Sequence, residues 1–218
     1  MIHGLRHSQV ALLSLLAAML VVVLVFPGPA HAQVGGPRMH IGAGVALDFG
    51  GEVDFERPGI AGLNAYGNDD LDATFGIRGH LDYQLHKYIS IGGMVRMSWW
   101  EPDYFLAIDR SFLLDLGPRL IGHYDWRDFR FYGGISPGLT ISAINDDGNS
   151  VAVDNPAAGF TLSLTLAGME WWFSRRVGLF VELGWVGHWF EHDSDFNQGD
   201  LEVDLSQGLF EFGFVFGV

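Results

Sequence analysis

One short stretch carries residue types that could catalyse acyl transfer. The sequence HDSDFNQGD (192–200) places His192 two residues before Ser194, and Glu202 follows shortly after it. An imidazole beside a hydroxyl can take its proton while a carboxylate orients the ring, which is the arrangement of nucleophilic hydrolases. The same stretch is rich in Asp and Gly, which favour solvated turns. We therefore prefer a turn and keep His192, Ser194 and Glu202 as candidate catalytic residues.

A second group of residues could form buried ion pairs. Its charged side chains stand singly among Gly, Ala, Ser and Thr, each on the polar face of an alternating apolar and polar pattern. Inside a narrow barrel such charges would pair across the interior and fill it. The pattern does not show which pairs form. A pair of Arg96 with Glu182 or Glu211 is one example. The candidate network consists of Arg78, Asp82, Arg96, Asp115, Arg119, Glu182 and Glu211.

Acidic residues concentrate in four segments, 51–72, 101–110, 145–157 and 191–204, which hold 18 Asp and Glu against two Arg. Carboxylate oxygens suit Ca²⁺ or Mg²⁺, but no EF-hand spacing occurs. We therefore prefer solvated, mutually repelling loops, and loosely bound Ca²⁺ or Mg²⁺ is the cofactor left open. The formal net charge of −14 disfavours nucleic acid as a partner. The absence of cysteine excludes disulfides and cysteine-ligated metals.

The N-terminus reads as a targeting segment. Arg6 precedes an apolar run from Val10 to Phe26, and Ala30 and Ala32 follow as a small-residue cleavage site. We expect residues 1–32 to be a signal peptide cleaved after Ala32, with an uncleaved anchor as the alternative. The mature chain, 33–218, is then a single domain.

The elements that must position these groups are β-strands. After Ala32 no helical period is sustained, whereas alternation with a period of two recurs and predicts strands. Short connections alternate with long ones, so one end of the predicted structure carries turns and the other carries loops. The predicted strands are 39–50, 73–83, 89–100, 111–124, 129–144, 158–172, 177–190 and 207–218.

The two faces of these strands indicate which solvent they meet. The apolar face carries no charge in seven strands, and only Glu170 breaks the pattern, at the end of the sixth. About eleven residues at about 3.3 Å each, tilted about 45°, span roughly the 25 Å apolar band of a membrane barrel. Backbone can cross hydrocarbon as strands only in a closed barrel. Tryptophans near the strand ends would form aromatic girdles: Trp99, Trp100, Trp171, Trp172, Trp185 and Trp189.

The export signal, the eight alternating strands and the aromatic last strand resemble the small eight-stranded outer-membrane barrels of the OmpA and OmpX type. The resemblance covers essentially all of 33–218. Members end on a signal of polar, Gly and two hydrophobic residues, which Glu211, Gly213, Phe216 and Val218 match, although bacterial members usually end on Phe. The fold implied is an all-β, eight-stranded antiparallel up-and-down transmembrane β-barrel. The partners implied are outer-membrane lipid and lipopolysaccharide, the barrel assembly machinery and periplasmic chaperones.

The resemblance places the turns in the periplasm and the acidic loops outside, and leaves several roles open. We expect a monomeric barrel with a structural, surface-interaction or minor-permeability role and a packed ionic interior. A small or gated pore is the first alternative. The second is an enzyme, because His192 and Ser194 faintly resemble the lipid A deacylases. Asp195 stands where those enzymes carry Asn, and their following Pro-Asn is absent.

Overall fold

A computed structural model describes residues 38–57, 65–100, 108–146, 156–192 and 201–218. The predicted signal peptide and Ser194 lie outside these ranges. Within them no helix is long and apolar enough to cross a membrane. The elements are nine strands: β1 (Met39–Arg57), β2 (Ala65–Asp70), β3 (Thr74–His86), β4 (Ile89–Trp100), β5 (Ile108–Trp126), β6 (Phe129–Asp146), β7 (Ala157–Trp172), β8 (Val177–His192) and β9 (Leu201–Gly217).

The strands form one closed antiparallel barrel. Each strand from β3 to β8 pairs with its successor, and β9 pairs with β1 to close the ring. β3 pairs with residues 39–48 of β1 and β2 with residues 52–57. Because β2 and β3 share one position beside β1, the nine strands fill eight positions in the wall. The predicted eight-stranded antiparallel barrel is confirmed.

The strands are longer at one end than the alternation predicts. We call this end the loop end, and the end with the connections 87–88, 127–128 and 173–176 the turn end. β1 continues to Arg57, β2 lies within the predicted loop 51–72, and β9 begins at Leu201. The alternation does not predict these extensions, because the barrel wall there lies beyond the apolar band and its outer face carries polar residues.

A bulge at Gly50 reverses the two faces of β1. The register with β9 shifts between Phe49 and Gly51, and Gly50 has a φ of 50°. That left-handed conformation costs a residue with a Cβ about 1–2 kcal/mol, which explains glycine here. Beyond the bulge Val53 is buried inside the barrel, and Glu52 is exposed on the outer face.

A second register shift explains why Glu170 breaks the alternation. The pairing of β7 with β8 shifts between Thr165 and Ala167, so the residues after Leu166 change face. Leu166 is 71% exposed on the outside, whereas Glu170 is 4% exposed and points inward. The predicted lipid-facing surface therefore does not carry the Glu170 carboxylate.

The outside of the barrel is apolar and the inside is polar, the reverse of a soluble domain. Phe75, Leu139 and Phe216 are 54%, 69% and 43% exposed on the outer face. Charged and hydroxyl side chains, including Arg96 and Thr140, are fully buried in the interior. Such an outer face fits hydrocarbon, because hydrocarbon offers no hydrogen-bond partner to a polar side chain.

Four of the six predicted girdle tryptophans face outward, and two do not. Trp99, Trp185 and Trp189 lie on the outer face near the loop end, and Trp171 lies there near the turn end. The assignment of Trp100 and Trp172 to the girdle is wrong. These residues follow Trp99 and Trp171 directly, and neighbours on a strand point to opposite faces. Trp100 is 0% exposed inside the barrel, and Trp172 Nε1 donates to the interior carboxylate of Glu170 at 3.0 Å.

The seam between β1 and β9 is closed by paired glycines. Gly44 and Gly213 are register partners. A Cβ on Gly213 would lie 2.2 Å from the carbonyl oxygen of Ala43, and one on Gly44 would lie 2.8 Å from the ring of Phe180. Removing both side chains lets the strands approach and lets the Phe180 ring cover the seam from within.

Candidate functional site

The interior charges form three layers stacked along the barrel axis, and the middle layer centres on Glu182 of β8. Arg78 and Arg119 reach its two carboxylate oxygens at 2.8 and 2.5 Å. The Tyr132 hydroxyl donates to Oε1 at 2.8 Å, and the Thr165 hydroxyl donates to Oε2 at 3.0 Å. Four strands other than β8 thus converge on one carboxylate, because each carries its polar residue inward at the same height.

Two further carboxylates complete the middle layer. Asp82 Oδ2 accepts from Arg119 Nη1 at 3.1 Å, and Glu211 pairs with Arg78. Together with Glu182, three acids surround two guanidinium groups, and all five side chains are buried. Charges taken out of water need such compensation, since an unpaired buried ion costs several kcal/mol.

The layer nearer the loop end centres on Arg96 of β4. Its Nε donates to Asp115 Oδ2 at 3.1 Å, and its Nη1 donates to Asp48 Oδ1 at 3.3 Å. His188 Nε2 lies 3.0 Å from Asp115 Oδ2 and 3.3 Å from Arg96 Nη2. One guanidinium therefore joins β1, β4, β5 and β8 across the lumen.

The pairing of Arg96 suggested by the alternation does not occur. Arg96 and Asp115 are register partners on neighbouring strands, which holds their Cβ atoms about 5 Å apart. Glu182 and Glu211 are instead occupied in the middle layer. The register between neighbouring strands decides the partner of Arg96. The alternation within a single strand does not contain that register.

The third layer lies at the turn end and was not predicted as a network. Arg130 donates to Asp125 Oδ1 at 2.6 Å and contacts His40 Nδ1 at 2.9 Å. His40 Nδ1 lies 3.2 Å from Glu170 Oε2, and the Trp172 ring stacks edge-on against His40 with centroids 4.9 Å apart. The bulge in β7 brings Glu170 and Trp172 to this position, so the alternation alone could not place them.

Apolar side chains close the loop end of the interior above the Arg96 layer. Trp100 and Phe190 pack with ring centroids 6.3 Å apart, and both belong to one buried cluster. The bulge at Gly50 supplies Val53 to it, and Leu71, which links β2 to β3, enters from the side. The cluster contains Val53, Leu71, Trp100, Leu113, Phe190, Val203 and Leu205.

The seven residues predicted as a lumen network all lie inside the barrel and are buried. Sequence reasoning left out Asp48, His188 and Tyr132, although each has inward parity in its strand. The sequence signal for these residues was the same single polar residue on the inward face. His188 and Tyr132 carry no fixed charge, and Asp48 lies close to a loop, so the pattern indicates an ion pair less strongly for them than for a mid-strand arginine.

Of the candidate catalytic residues, His192 and Glu202 are not brought together. His192 is fully buried inside the barrel, and its Nε2 lies 3.4 Å from the Ser142 hydroxyl. Glu202 pairs in register with Glu191 on the outer face and is exposed. The barrel wall separates this carboxylate from the imidazole, and Ser194 lies outside the described residues.

The outer face of the loop end carries carboxylates on neighbouring strands. Asp54 and Asp204 are register partners, as are Glu56 and Glu202. Within the described residues, no three His, Asp or Glu side chains are arranged to hold a metal ion.

The four residues of the predicted assembly signal extend from the middle layer to the turn end, along the second half of β9 and the residue after it. Glu211 and Gly213 face inward, and Phe216 and Val218 are exposed outside. The backbone amide of Val218 donates to the carbonyl of Met39 at 2.9 Å, so the last residue still pairs with β1. Glu211 is thus also a partner of Arg78, and Gly213 also closes the seam.

No protein-family model and no curated protein matches this sequence. Solved structures do match its fold. The outer membrane protein OprG from Pseudomonas aeruginosa superposes with a TM-score of 0.59 and 13% identity, over 87% of this chain and 98% of that one. The outer membrane protein AlkL, determined in lipid bilayers, gives a TM-score of 0.50 and 14% identity, over 88% and 95%. At such identities the likeness establishes the fold.

Proposed function

Proceeding from the fold that the chain shares with small outer-membrane barrels, we propose that it is an integral outer-membrane protein with a closed lumen. Its role is structural or surface-interacting: the barrel holds an acidic rim at the outer surface and carries no steady flow of solute. The turn end faces the periplasm, and the loop end faces outward. The apolar outer face and its tryptophans support this placement, because they match a bilayer and its interfaces.

The observation that carries the closed lumen is the convergence of side chains from opposite walls on Glu182. Arg78 of β3, Arg119 of β5 and Tyr132 of β6 all contact this carboxylate of β8. An eight-stranded barrel has an interior only wide enough for side chains. The Arg96 layer and the apolar cluster at the loop end add two further barriers.

The outer-membrane placement predicts how the protein fractionates. Expressed with its N-terminal segment in a Gram-negative host, it should be recovered in the Sarkosyl-insoluble envelope. It should also migrate differently on gels before and after boiling, because a closed barrel resists detergent until heated. Recovery as a soluble periplasmic monomer would contradict the outer-membrane placement.

The closed lumen predicts electrical silence. The purified protein in planar bilayers should give no stable conductance steps, and neither should Arg96→Glu. The control is Arg127→Glu, which reverses an exposed charge in the β5–β6 turn. Regular steps in the wild type that Arg96→Glu abolishes and Arg127→Glu leaves intact would instead support the pore alternative.

A further inference from the structure

The exposed charges of the barrel are sorted between its two ends. The structure describes the side chains of nine arginines and lysines, and the four that lie in the lumen are buried. The other five are exposed and all lie at the turn end; we call them the turn-end cations: Arg38, Lys87, Arg127, Arg175 and Arg176. Seven exposed acids lie at the loop end: Glu52, Asp54, Asp70, Asp72, Glu191, Glu202 and Asp204.

The protein provides no counter-charge for the turn-end cations. Within the described part of the chain none of them forms an ion pair, whereas each buried arginine pairs with a carboxylate. The nearby acids are occupied or buried: Asp125 pairs with Arg130 at 2.6 Å, and Asp128 is 7% exposed. The turn-end cations are therefore open to an anion from outside the protein.

Backbone hydrogen bonds fix these cations on a ring around the turn end. At each of the three turns, and at the start of β1, a carbonyl accepts from an amide of a neighbouring strand at 2.7–2.9 Å. The accepting carbonyls are those of Arg38, Tyr88, Asp128 and Arg176. The positions of the five charges are thus set by the barrel wall.

Two of the turn-end cations stack on aromatic rings. Arg127 Cζ lies 5.3 Å from the centroid of the Trp126 ring, and Lys87 Nζ lies 4.6 Å from that of Tyr88. Trp126 is 50% exposed on the outward face of β5. Tryptophan and tyrosine concentrate at the level of lipid headgroups. The stacking on Trp126 therefore holds the Arg127 charge against the outer wall at headgroup height, away from the mouth of the lumen.

Arg127 keeps its side chain against a backbone preference. Within the described residues it is the one residue other than glycine with a positive φ, at 55°. It occupies the first position of the two-residue turn between β5 and β6, where a positive φ favours glycine. Such strain is characteristic of positions where a side chain has a use.

We propose that the turn end binds anionic phospholipids of the periplasmic leaflet through their phosphate groups. This inference rests on the outer-membrane placement proposed above and adds a lipid preference to it. Phosphate accepts charge-assisted hydrogen bonds, and one guanidinium group can donate two of them. Each Lys or Arg beside an anionic membrane surface raises the affinity about fivefold.

The apolar wall beside the cations favours a lipid over a soluble anion. Tyr124 and Phe131 are register partners next to Trp126, on the side of the bilayer, and are 58% and 42% exposed. Acyl chains attached to a phosphate at Arg127 would lie along these rings. A soluble polyanion would contact the charges and leave the rings uncovered.

The test uses the full-length mature protein, folded in neutral detergent micelles and titrated with dioleoylphosphatidylglycerol or with its zwitterionic counterpart dioleoylphosphatidylcholine. Native mass spectrometry from about 0.15 M ammonium acetate, which screens diffuse attraction, measures lipid bound to the folded barrel. Phosphatidylglycerol should bind at least about fivefold more tightly. Lys87→Gln combined with Arg127→Gln should weaken phosphatidylglycerol at least about fivefold and leave phosphatidylcholine unchanged.

Two control variants separate position from charge. Lys87→Arg combined with Arg127→Lys keeps both charges in place and should retain the preference. Ser206→Asp lowers the net charge by as much as Arg127→Gln does, but on the outer face of the loop end, and should also retain it. Equal losses in Ser206→Asp and Arg127→Gln would overturn the proposal, because the attraction would then be diffuse.

Three further results would overturn the proposal. These are equal affinity for the two lipids, displacement of phosphatidylglycerol by an equal concentration of glycerol 3-phosphate, and tighter binding of soluble polyglutamate at the same cations. The second would indicate a site for free phosphate, and the third a site for an anionic polymer. A heat-modifiable barrel without lipid preference would refute this inference alone, whereas failure to form such a barrel would contradict the outer-membrane placement as well.

Discussion

Replacing Arg119 with Leu should lower the free energy of unfolding by about 3–5 kcal/mol. The guanidinium group bridges Asp82 and Glu182 in the middle layer, and the variant leaves both carboxylates short of a buried cation. The quantity is measured by urea-induced unfolding from lipid vesicles, followed by tryptophan fluorescence. The exposed Arg175 in the β7–β8 turn provides the control, and Arg175→Leu should change the free energy by less than about 0.5 kcal/mol.

A double-mutant cycle separates the lost pairing from lost packing. In the Arg119→Leu background, Glu182→Gln should cost less than it does alone, since the carboxylate it removes has already lost Arg119. If Arg119→Leu does not fold, the same second substitution should restore part of the heat-modifiable band. A coupling energy near zero between Arg119 and Glu182 would contradict the assignment of Glu182 as the centre of the middle layer.

Replacing Phe216 with Asp should largely abolish insertion into the outer membrane. Phe216 is 43% exposed on the outer face of β9 and is also a hydrophobic position of the assembly signal. A charge there costs roughly 2–4 kcal/mol in hydrocarbon, depending on depth, and the signal is damaged as well. The fraction of heat-modifiable protein in the envelope measures the effect.

Two controls distinguish the causes of that loss. Phe173→Asp places the same charge in the β7–β8 turn, where Phe173 is 51% exposed, and should assemble normally. Phe214→Asp sits on the same outer face as Phe216 but outside the signal pattern, so it should retain more assembly. Normal assembly of Phe216→Asp would show that the row of phenylalanines does not meet lipid.

The strand count, the closure and the sorting of residues between two faces follow from alternation. Alternation is a local property, because consecutive side chains of a strand point to opposite faces whatever the strand pairs with. An alternating apolar row such as Phe210 to Phe216 therefore indicates by itself that these side chains share one face of the strand. The inward placement of Arg78, Arg96 and Glu182 is predictable for the same reason.

The tertiary structure decided what depends on register and on bulges. One left-handed residue, Gly50, turns Val53 inward and Glu52 outward, and a shift in β7 turns Glu170 and Trp172 into the lumen. Each added residue reverses the parity of everything after it, so a local reading fails from that point onward.

Pairing across the barrel is likewise absent from the sequence. The partner of Arg96 is Asp115 because β4 and β5 align them. Glu182 contacts residues of β3, β5 and β6 that lie 50 to 104 positions away along the chain. The sequence by itself determined that the charges face inward. The register of the closed barrel, which brings distant strands to one height, decided which of them meet.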